Sequence, residues 1–442
     1  MGDSDASPGS WARNRLLRRL VDGLAFLTWR EVSIDDLGAT SNGPVLLVAN
    51  HFGGFADALV LMSVLPRRPR VLADDSIWKV RVVGWLMDWV GAIPVHRGHR
   101  GTTDNTDMFA AAHRALADGE LVLIFPEGIT REEPSIGEVR SGAARIAIGA
   151  RAHGVRGLRI VPVGLHYEDK AAFRSVVYVR EGRPIELDRE LTGERITDLD
   201  RAEVERLTEM IAVRLRDTAP DYDDWREARA LQMAAEAFLR SMDPDEDVPV
   251  GLRDRLGAWL ARSEGADELV EVADRYRLAL SRVGATDAWA AHGRALLSRR
   301  RFITVVTWVL MLPYAVLGLI AWSVPSAATW AVSRLRMAPA MMATVLPIAA
   351  LALFGITSCG WLWWGWSRDG SSGLMSVVVL APLTFAAMGL VIERGLLWLR
   401  WLRNRLTTLG GRGRRLADLR DDVVEAVADR VAAALVGEGM GR

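Results

Sequence analysis

The run Val45-Leu46-Leu47-Val48-Ala49 is apolar at every position, with Gly43-Pro44 before it and Asn50-His51 after it. Its short length and its Gly-Pro boundary read as a buried strand. The end of that strand constrains the residues after it. The glycine pair Gly53-Gly54 lets the backbone turn sharply. Asp57 then stands where the N-cap of the next apolar segment, Ala58 to Leu65, belongs. A histidine at a strand end thus faces a carboxylate at a helix start across a loop of five residues. Such a pair can hold an imidazole by one nitrogen and leave the other free to take a proton. Taken alone it is equally a loop histidine beside a capping aspartate, so its weight depends on the rest of the chain.

The same grammar repeats downstream. Arg70 to Ala73 reads as a strand, and Trp78 to Val90 as a helix. Gly91-Ala92-Ile93-Pro94-Val95-His96-Arg97-Gly98 is a strand ending on arginine, whose planar fork suits phosphate oxygens. Asp107 to Asp118 is helical, and Leu121 to Phe125 is another buried strand. It runs into Pro126-Glu127-Gly128-Ile129-Thr130-Arg131. A glutamate locked there between proline and glycine can orient a hydroxyl or hold a loop closed. Arg140-Ser141-Gly142 leads into an alanine-rich helix whose amino end attracts anions. Leu158 to Leu165 and Ser175 to Arg180 are further strands, with His166-Tyr167-Glu168-Asp169 after the first. Strands alternating with helices, and polar residues gathered after strand ends, give an α/β domain with its site at one edge of a mixed sheet flanked by helices.

Four of these stretches, in this order, resemble the glycerolipid acyltransferase family, the plsC-type glycerol-3-phosphate and acylglycerol-phosphate acyltransferases. Asn50-His51 with Asp57 looks like the first family motif and Gly91 to Arg97 like the second. Phe125-Pro126-Glu127-Gly128 looks like the third and Val161-Pro162-Val163 like the fourth. The family's usual first motif has four residues between histidine and aspartate, where this chain has five. A branch of bacterial and fungal enzymes acting on glycerol 3-phosphate or dihydroxyacetone phosphate shares the longer spacing. It also resembles this chain at Thr130 to Pro134, Ser141 to Arg145 and Tyr167 to Arg174. Ile129 is an insertion against the usual third motif, so Thr130-Arg131 come one residue late.

The resemblance implies transfer of a fatty acyl group from a thioester, acyl-CoA or acyl carrier protein, to the hydroxyl of a glycerol-phosphate-type acceptor. His51 would be the general base and Asp57 its orienting partner. Arg97 and Arg140 would hold the acceptor phosphate. Glu127 would bind an acceptor hydroxyl or brace its loop, with Gly128 and Arg131 completing the acceptor site. Backbone donors from the loop after His51 would serve the oxyanion. No metal and no further cofactor are expected. A phospholipid-remodelling transacylase and a catalytically silent lipid-binding protein of the same fold stand as alternatives.

Composition sets the rest. Lys+Arg and Asp+Glu both number 55, so no global basic field points to nucleic acid. The single cysteine, Cys359, rules out an internal disulfide framework and a Cys-rich zinc site. Residues 1–30 read as a polar, disordered tip and a basic amphipathic helix, Trp11 to Trp29, suited to an anionic membrane surface or packed on the domain. No secretory signal is evident. Residues 31–190 form the acyltransferase-like domain, and residues 191–298 a connector of charged amphipathic helices. Within 299–405, Phe302 to Val324, Ala340 to Trp366 and Leu374 to Ile392 are each long and nearly free of charge. A bilayer core needs about twenty apolar residues. Arginines at both ends of this region call for the same, cytoplasmic side. The expectation is a transmembrane hairpin with its turn at Ser367 to Ser372, preceded by a broken or re-entrant segment, against three full spans. Residues 406–442 would be a cytosolic tail helix. The chain is thus expected in the cell membrane as a multi-pass protein among membrane lipids, its catalytic domain facing the cytoplasm.

Overall fold

The computed structural model describes residues 14–35, 37–79, 81–96, 105–168, 175–191, 200–243, 248–292, 299–335, 339–407 and 411–439. It divides into two units, Met1–Asp224 with Ala338–Thr344, and Trp225–Met337 with Val345–Arg442.

In the first unit the elements run α1 (Arg15–Thr28), β1 (Trp29–Ile34), β2 (Val45–Ala49), α2 (Phe55–Val64), β3 (Pro69–Asp74), α3 (Arg81–Val90), β4 (Ile93–Val95), α4 (Thr106–Ala117), β5 (Leu121–Ile124), α5 (Gly142–Ala152), β6 (Arg159–Tyr167), β7 (Ser175–Glu181), β8 (Ile185–Glu186), α6 (Leu187–Glu190) and α7 (Arg201–Thr218). The strands make one sheet ordered β1-β7-β6-β2-β5-β3-β4, with β8 beside β6. β6 through β4 are parallel to one another; β7 and β8 run antiparallel to β6, and β1 is parallel to β7. The sheet is therefore mixed, as the sequence predicts.

The strand alternation assigns the two faces. Leu46, Val48, Val122 and Ile160 point into one core with α4, α5 and α7. Val45, Leu47, Leu121, Leu123 and Val161 point into the other with α1, α2 and α3. A strand buried on both faces has no polar side to offer, which is why β2 reads as a continuous apolar run. Leu207, Ile211 and Leu215 of α7 lie in the first core. α7 thus belongs with the sheet, and the unit runs past residue 190, where the sequence placed its end.

Of the two settings expected for α1, the structure shows the packed one. Its buried face, Leu17, Val21 and Ala25, packs into the core beside α2. Arg18 donates to the Met62, Ser63 and Leu65 carbonyls at the end of α2, the acceptors a helix C-terminus leaves unpaired. The helix is therefore docked on the domain by this face, while Leu16, Leu20 and Phe26 on the other side are exposed. It stops at Thr28, and Trp29 already belongs to β1. Residues 1–13 lie outside the described residues.

The second unit contains α8 (Trp225–Met242), α9 (Val250–Ala261), α10 (Ala266–Val283), α11 (Asp287–His292), α12 (Arg299–Ala321), α13 (Ser323–Ser333), α14 (Pro339–Thr407) from Val345 onward, and α15 (Gly411–Gly439). Its polar half is held by Asp287. This fully buried carboxylate accepts from Arg240 Nε at 3.0 Å, Tyr276 Oη at 2.8 Å and Arg420 Nε at 2.9 Å. α15 therefore packs on the connector helices rather than standing as a separate tail.

In the apolar half, Ala349–Ile392 is a 44-residue stretch long and apolar enough to cross a membrane. It is broken at Asp369 and Gly370, where Gly370 has φ 59° and ψ −131°, a conformation open only to glycine. Phe354 before the break and Phe385 after it meet edge to face with centroids 5.2 Å apart. A straight helix, rising about 1.5 Å per residue, would hold them more than about 40 Å apart. The stretch is thus an antiparallel hairpin turning within the expected Ser367 to Ser372 loop. α12 and α13 meet at a bend of 68°. Trp322, at that bend, touches Phe354 and Phe385 at 5.8 and 5.6 Å, so α12 ends well short of the hairpin turn. Pro313 lies inside α12, whereas Pro325 lies in the first turn of α13, just after the bend, where its missing N–H is one that a helix start leaves unpaired in any case.

Candidate active site

At the end of β2 the Asn50 side chain replaces the backbone in the ladder. Its Oδ1 accepts from Leu165 N at 2.7 Å and its Nδ2 donates to Leu165 O at 3.0 Å. The main chain is thereby released from β6 and carries His51 out of the sheet. The sequence flagged Asn50 only as a neighbour of the histidine; its function is to end the strand without leaving polar groups unpaired.

His51 Nδ1 lies 2.9 Å from Asp57 Oδ2. The imidazole stacks on Phe125 at 4.1 Å between centroids, and its side chain is 17% exposed. With Nδ1–H donated to the carboxylate, Nε2 carries the lone pair, and it has no hydrogen-bond partner among the described residues. Asp57 itself has no exposed side-chain surface. It accepts from His51, from Gly53 N at 2.8 Å and from Tyr167 Oη at 2.6 Å. A Cβ on residue 53 would lie 2.8 Å from Asp57 Oδ1 and 3.2 Å from Tyr167 Oη. Glycine is needed there for the loop to close over the carboxylate.

Asp57 is not the N-cap that the sequence suggested. α2 begins at Phe55 with Gly54 as its cap, so Asp57 lies within the first turn and reaches back to an N–H before the helix, in the manner of a capping box. That reach also consumes Gly53 N–H, a donor in the loop nominated for the oxyanion.

Glu127, after β5, is 2% exposed. Its Oε1 accepts from His51 N at 3.0 Å and its Oε2 from Gly137 N at 2.9 Å. Burial raises its pKa above the ordinary glutamate value, opposed by these two N–H groups and by the charges of Arg131 and His51. The Arg131 N–H donates to the His51 carbonyl at 2.9 Å. His51 is thus gripped at both its backbone N–H and its C=O by the loop after β5. The Arg131 guanidinium stands beside Glu127 and Glu133, at 3.9 and 3.5 Å, and so is engaged by carboxylates.

The exposed Arg140 follows along the same loop, its N–H donating to the Pro126 carbonyl. Its guanidinium lies against Gly128, 3.2 Å from where a Cβ would be. The structure therefore gathers His51, Asp57, Glu127, Gly128, Arg131 and Arg140 at the carboxyl ends of adjacent strands β2 and β5. Arg97 lies outside the described residues; its neighbour His96 bonds Asp75 Oδ2 at 2.7 Å. Chain direction reverses across the sheet here, with β3 reached to one side of β2 and β6 to the other, the usual position for a ligand crevice.

The family model described as Acyltransferase matches residues 31–166. The chain carries an acyltransferase-family domain. The chain is 36% identical over 124 residues to glycerol-3-phosphate O-acyltransferase 2 of Saccharomyces cerevisiae, covering 27% of this chain and 17% of that one. It is 27% identical over 126 residues to a chloroplastic 1-acyl-sn-glycerol-3-phosphate acyltransferase of Brassica napus, covering 28% and 34%. It is 32% identical over 127 residues to lyso-ornithine lipid O-acyltransferase of Rhizobium meliloti, covering 28% and 41%. The chain thus spans less than half the length of each of these relatives. Among solved structures, the 1-acyl-sn-glycerophosphate acyltransferase PlsC of Thermotoga maritima aligns with a TM-score of 0.34 at 15% identity, over 46% of this chain and 79% of that one.

Proposed function

We propose that this protein is a membrane-bound glycerolipid acyltransferase. It moves a fatty acyl group from a thioester, acyl-CoA or acyl carrier protein, to the hydroxyl of a glycerol-phosphate-type acceptor. The observation that carries this reading is the His51–Asp57 contact of 2.9 Å, inside a domain of the acyltransferase family. His51 Nε2 takes the acceptor's hydroxyl proton as the oxygen attacks the thioester carbonyl. The C–S bond then breaks, and the departing thiolate takes that proton back from the imidazolium. Asp57 fixes the tautomer and stabilises the imidazolium. Arg140, exposed beside Gly128, and Arg97 bind the acceptor phosphate.

The membrane reading rests on the hairpin and on the Asp287–Arg420 contact. One residue precedes the apolar region and the other comes after it, yet they meet at 2.9 Å. Such a contact supports entry and exit on the same side, hence an even number of crossings. A two-span hairpin with α12–α13 re-entrant fits that parity; three spans do not. With arginines flanking both ends, that side is the cytoplasm.

The test is acyl transfer by the purified full-length protein, with product identified by mass spectrometry. Acyl-CoA and acyl carrier protein are the donors; glycerol 3-phosphate, 1-acylglycerol 3-phosphate and lyso-ornithine lipid are the acceptors. Esterified glycerol phosphate that disappears in His51→Ala supports the proposal. Transfer to lyso-ornithine lipid alone would replace the acceptor assignment.

A further inference from the structure

We infer that Tyr167 is a positioning residue of the same site, a third member of the chain of hydrogen bonds that ends at His51. The inference rests on the acyltransferase reading above.

Its basis is the coordination of Asp57. A buried carboxylate presents two oxygens, and this one divides them by task. Oδ2 takes His51 Nδ1 and Gly53 N–H; Oδ1 takes the Tyr167 hydroxyl at 2.6 Å, with no other hydrogen bond to it among the described residues. Without that third donor, Oδ1 would be a buried anionic oxygen with no partner, and the carboxylate would be free to rock about its Cβ–Cγ bond. Tyr167 thereby fixes which oxygen meets the imidazole.

It also draws charge from the carboxylate. A hydrogen bond to Oδ1 reduces the negative potential that Oδ2 presents to Nδ1, and that potential sets the basicity of Nε2. The phenol does this as a permanent donor. Burial, then the Asp57 charge and the hydrogen bond itself, hold its ionisation well above the ordinary tyrosine value. The charged and titratable groups facing His51 are Asp57 from α2, Glu127 with Arg131 from the loop after β5, and Tyr167 from β6, which acts through Asp57.

The position is specific. Tyr167 is the last residue of β6, and the β2–β6 register, Ala49 beside Val163, brings that strand end next to the loop after β2. The two partners are 110 residues apart in sequence. Gly53 leaves the passage through which the hydroxyl reaches Oδ1. A tyrosine serving the core alone has no need to aim its hydroxyl at the carboxylate that holds the general base.

The experiment is the pH profile of kcat/KM for Tyr167→Phe in the full-length protein, with wild type and His51→Ala alongside. Loss of the donor concentrates charge on Oδ2. The acid limb is expected to move up by roughly half a unit to one unit, and plateau kcat to fall about tenfold at unchanged acceptor KM. A limb and plateau rate matching wild type overturn the proposal, whatever happens to the melting temperature. Difluorotyrosine at position 167 supplies an independent measurement if the phenylalanine variant fails to fold. It keeps the shape with a more acidic hydroxyl, so the limb is expected to move down; an upward or absent shift overturns the proposal. Absence of acyl transfer in wild type, or full activity in His51→Ala, would instead defeat the reading on which it rests.

Discussion

Replacing Glu127 by glutamine keeps the size of the side chain and removes one acceptor. Both carboxylate oxygens are committed, Oε1 to His51 N–H and Oε2 to Gly137 N–H, at 3.0 and 2.9 Å. Whichever way the amide is turned, its NH2 group meets a backbone N–H. One bond is lost and one buried donor is left without an acceptor. A hydrogen bond to a charged group is worth about 1.5–3 kcal/mol, so unfolding should become easier by about that amount. Carried into the position of His51, the same loss is roughly 10- to 150-fold in kcat. The acceptor KM should change little, because the oxygens serve the protein's own backbone. The assay is steady-state acyl transfer across acceptor concentrations, paired with thermal unfolding of the same preparations. A variant that melts with wild type and shows only a raised acceptor KM would refute the bracing role and make Glu127 a hydroxyl ligand. The pH dependence has a definite sign. Burial raises the Glu127 pKa, so the folded state binds this proton more tightly than the unfolded chain. Its favourable contribution is present below the ordinary glutamate range and is lost as pH rises through the raised value. The stability advantage of wild type over Glu127→Gln should therefore shrink over that interval; a difference that stays flat to neutral pH would contradict it.

His51→Ala and Asp57→Ala should each lower acyl transfer by about 10²–10⁴-fold with expression intact; turnover near wild type in either defeats the general-base mechanism. Arg140→Ala should raise the KM for a phosphate-bearing acceptor well above any change in kcat, and an unchanged KM removes it from the phosphate site. Asp287→Ala removes the carboxylate shared by Arg240, Tyr276 and Arg420, leaving Arg240 with Glu236 and Arg420 without its ion-pair partner, a loss of about 3–5 kcal/mol. Hydrogen exchange in α15 should rise accordingly, and unchanged protection would show that the contact contributes nothing. A single cysteine at Ser371, with Cys359 replaced, should react with an impermeant reagent from the outside of intact cells; labelling confined to the cytoplasmic side sinks the hairpin orientation.

What the sequence made legible was local. β2 and β5 could be read because uniform apolar runs bounded by glycine and proline have few other outcomes, and the residues after them fell at one sheet edge because parallel strands share a direction. The hairpin turn was legible because polar residues interrupt a long apolar run at Asp369-Gly370. What escaped were partnerships. Tyr167 comes after an apolar strand like any boundary residue, and only the register of β6 against β2 carries its hydroxyl to Asp57. α7 has the same amphipathic period whether it covers a sheet or joins a helical bundle, so its place beside β2 and β6 could not be read. β1, Trp-Arg-Glu-Val-Ser-Ile, is half polar and lies at the sheet edge, so it carries no strand signal, and the expected helix overlaps it only at Trp29. Arg131 was expected among the acceptor ligands, but Glu127 and Glu133 lie close enough to engage it. No spacing rule reports that competition.

The bond between Asp287 and Arg420 also sets an order of events during synthesis. α8, α10 and α11 leave the ribosome before the apolar region and α15 after it, so the polar bundle stays open while the apolar region is being made. Until Arg420 arrives, Asp287 has Arg240 and Tyr276 but lacks its third donor, and the face that α15 will cover is bare. Under the proposed two-span topology, only a chain whose apolar region has returned to its starting side could deliver α15 to that face. On that proposal, closure of the bundle would be a proofreading step, selecting the molecules whose topology is correct.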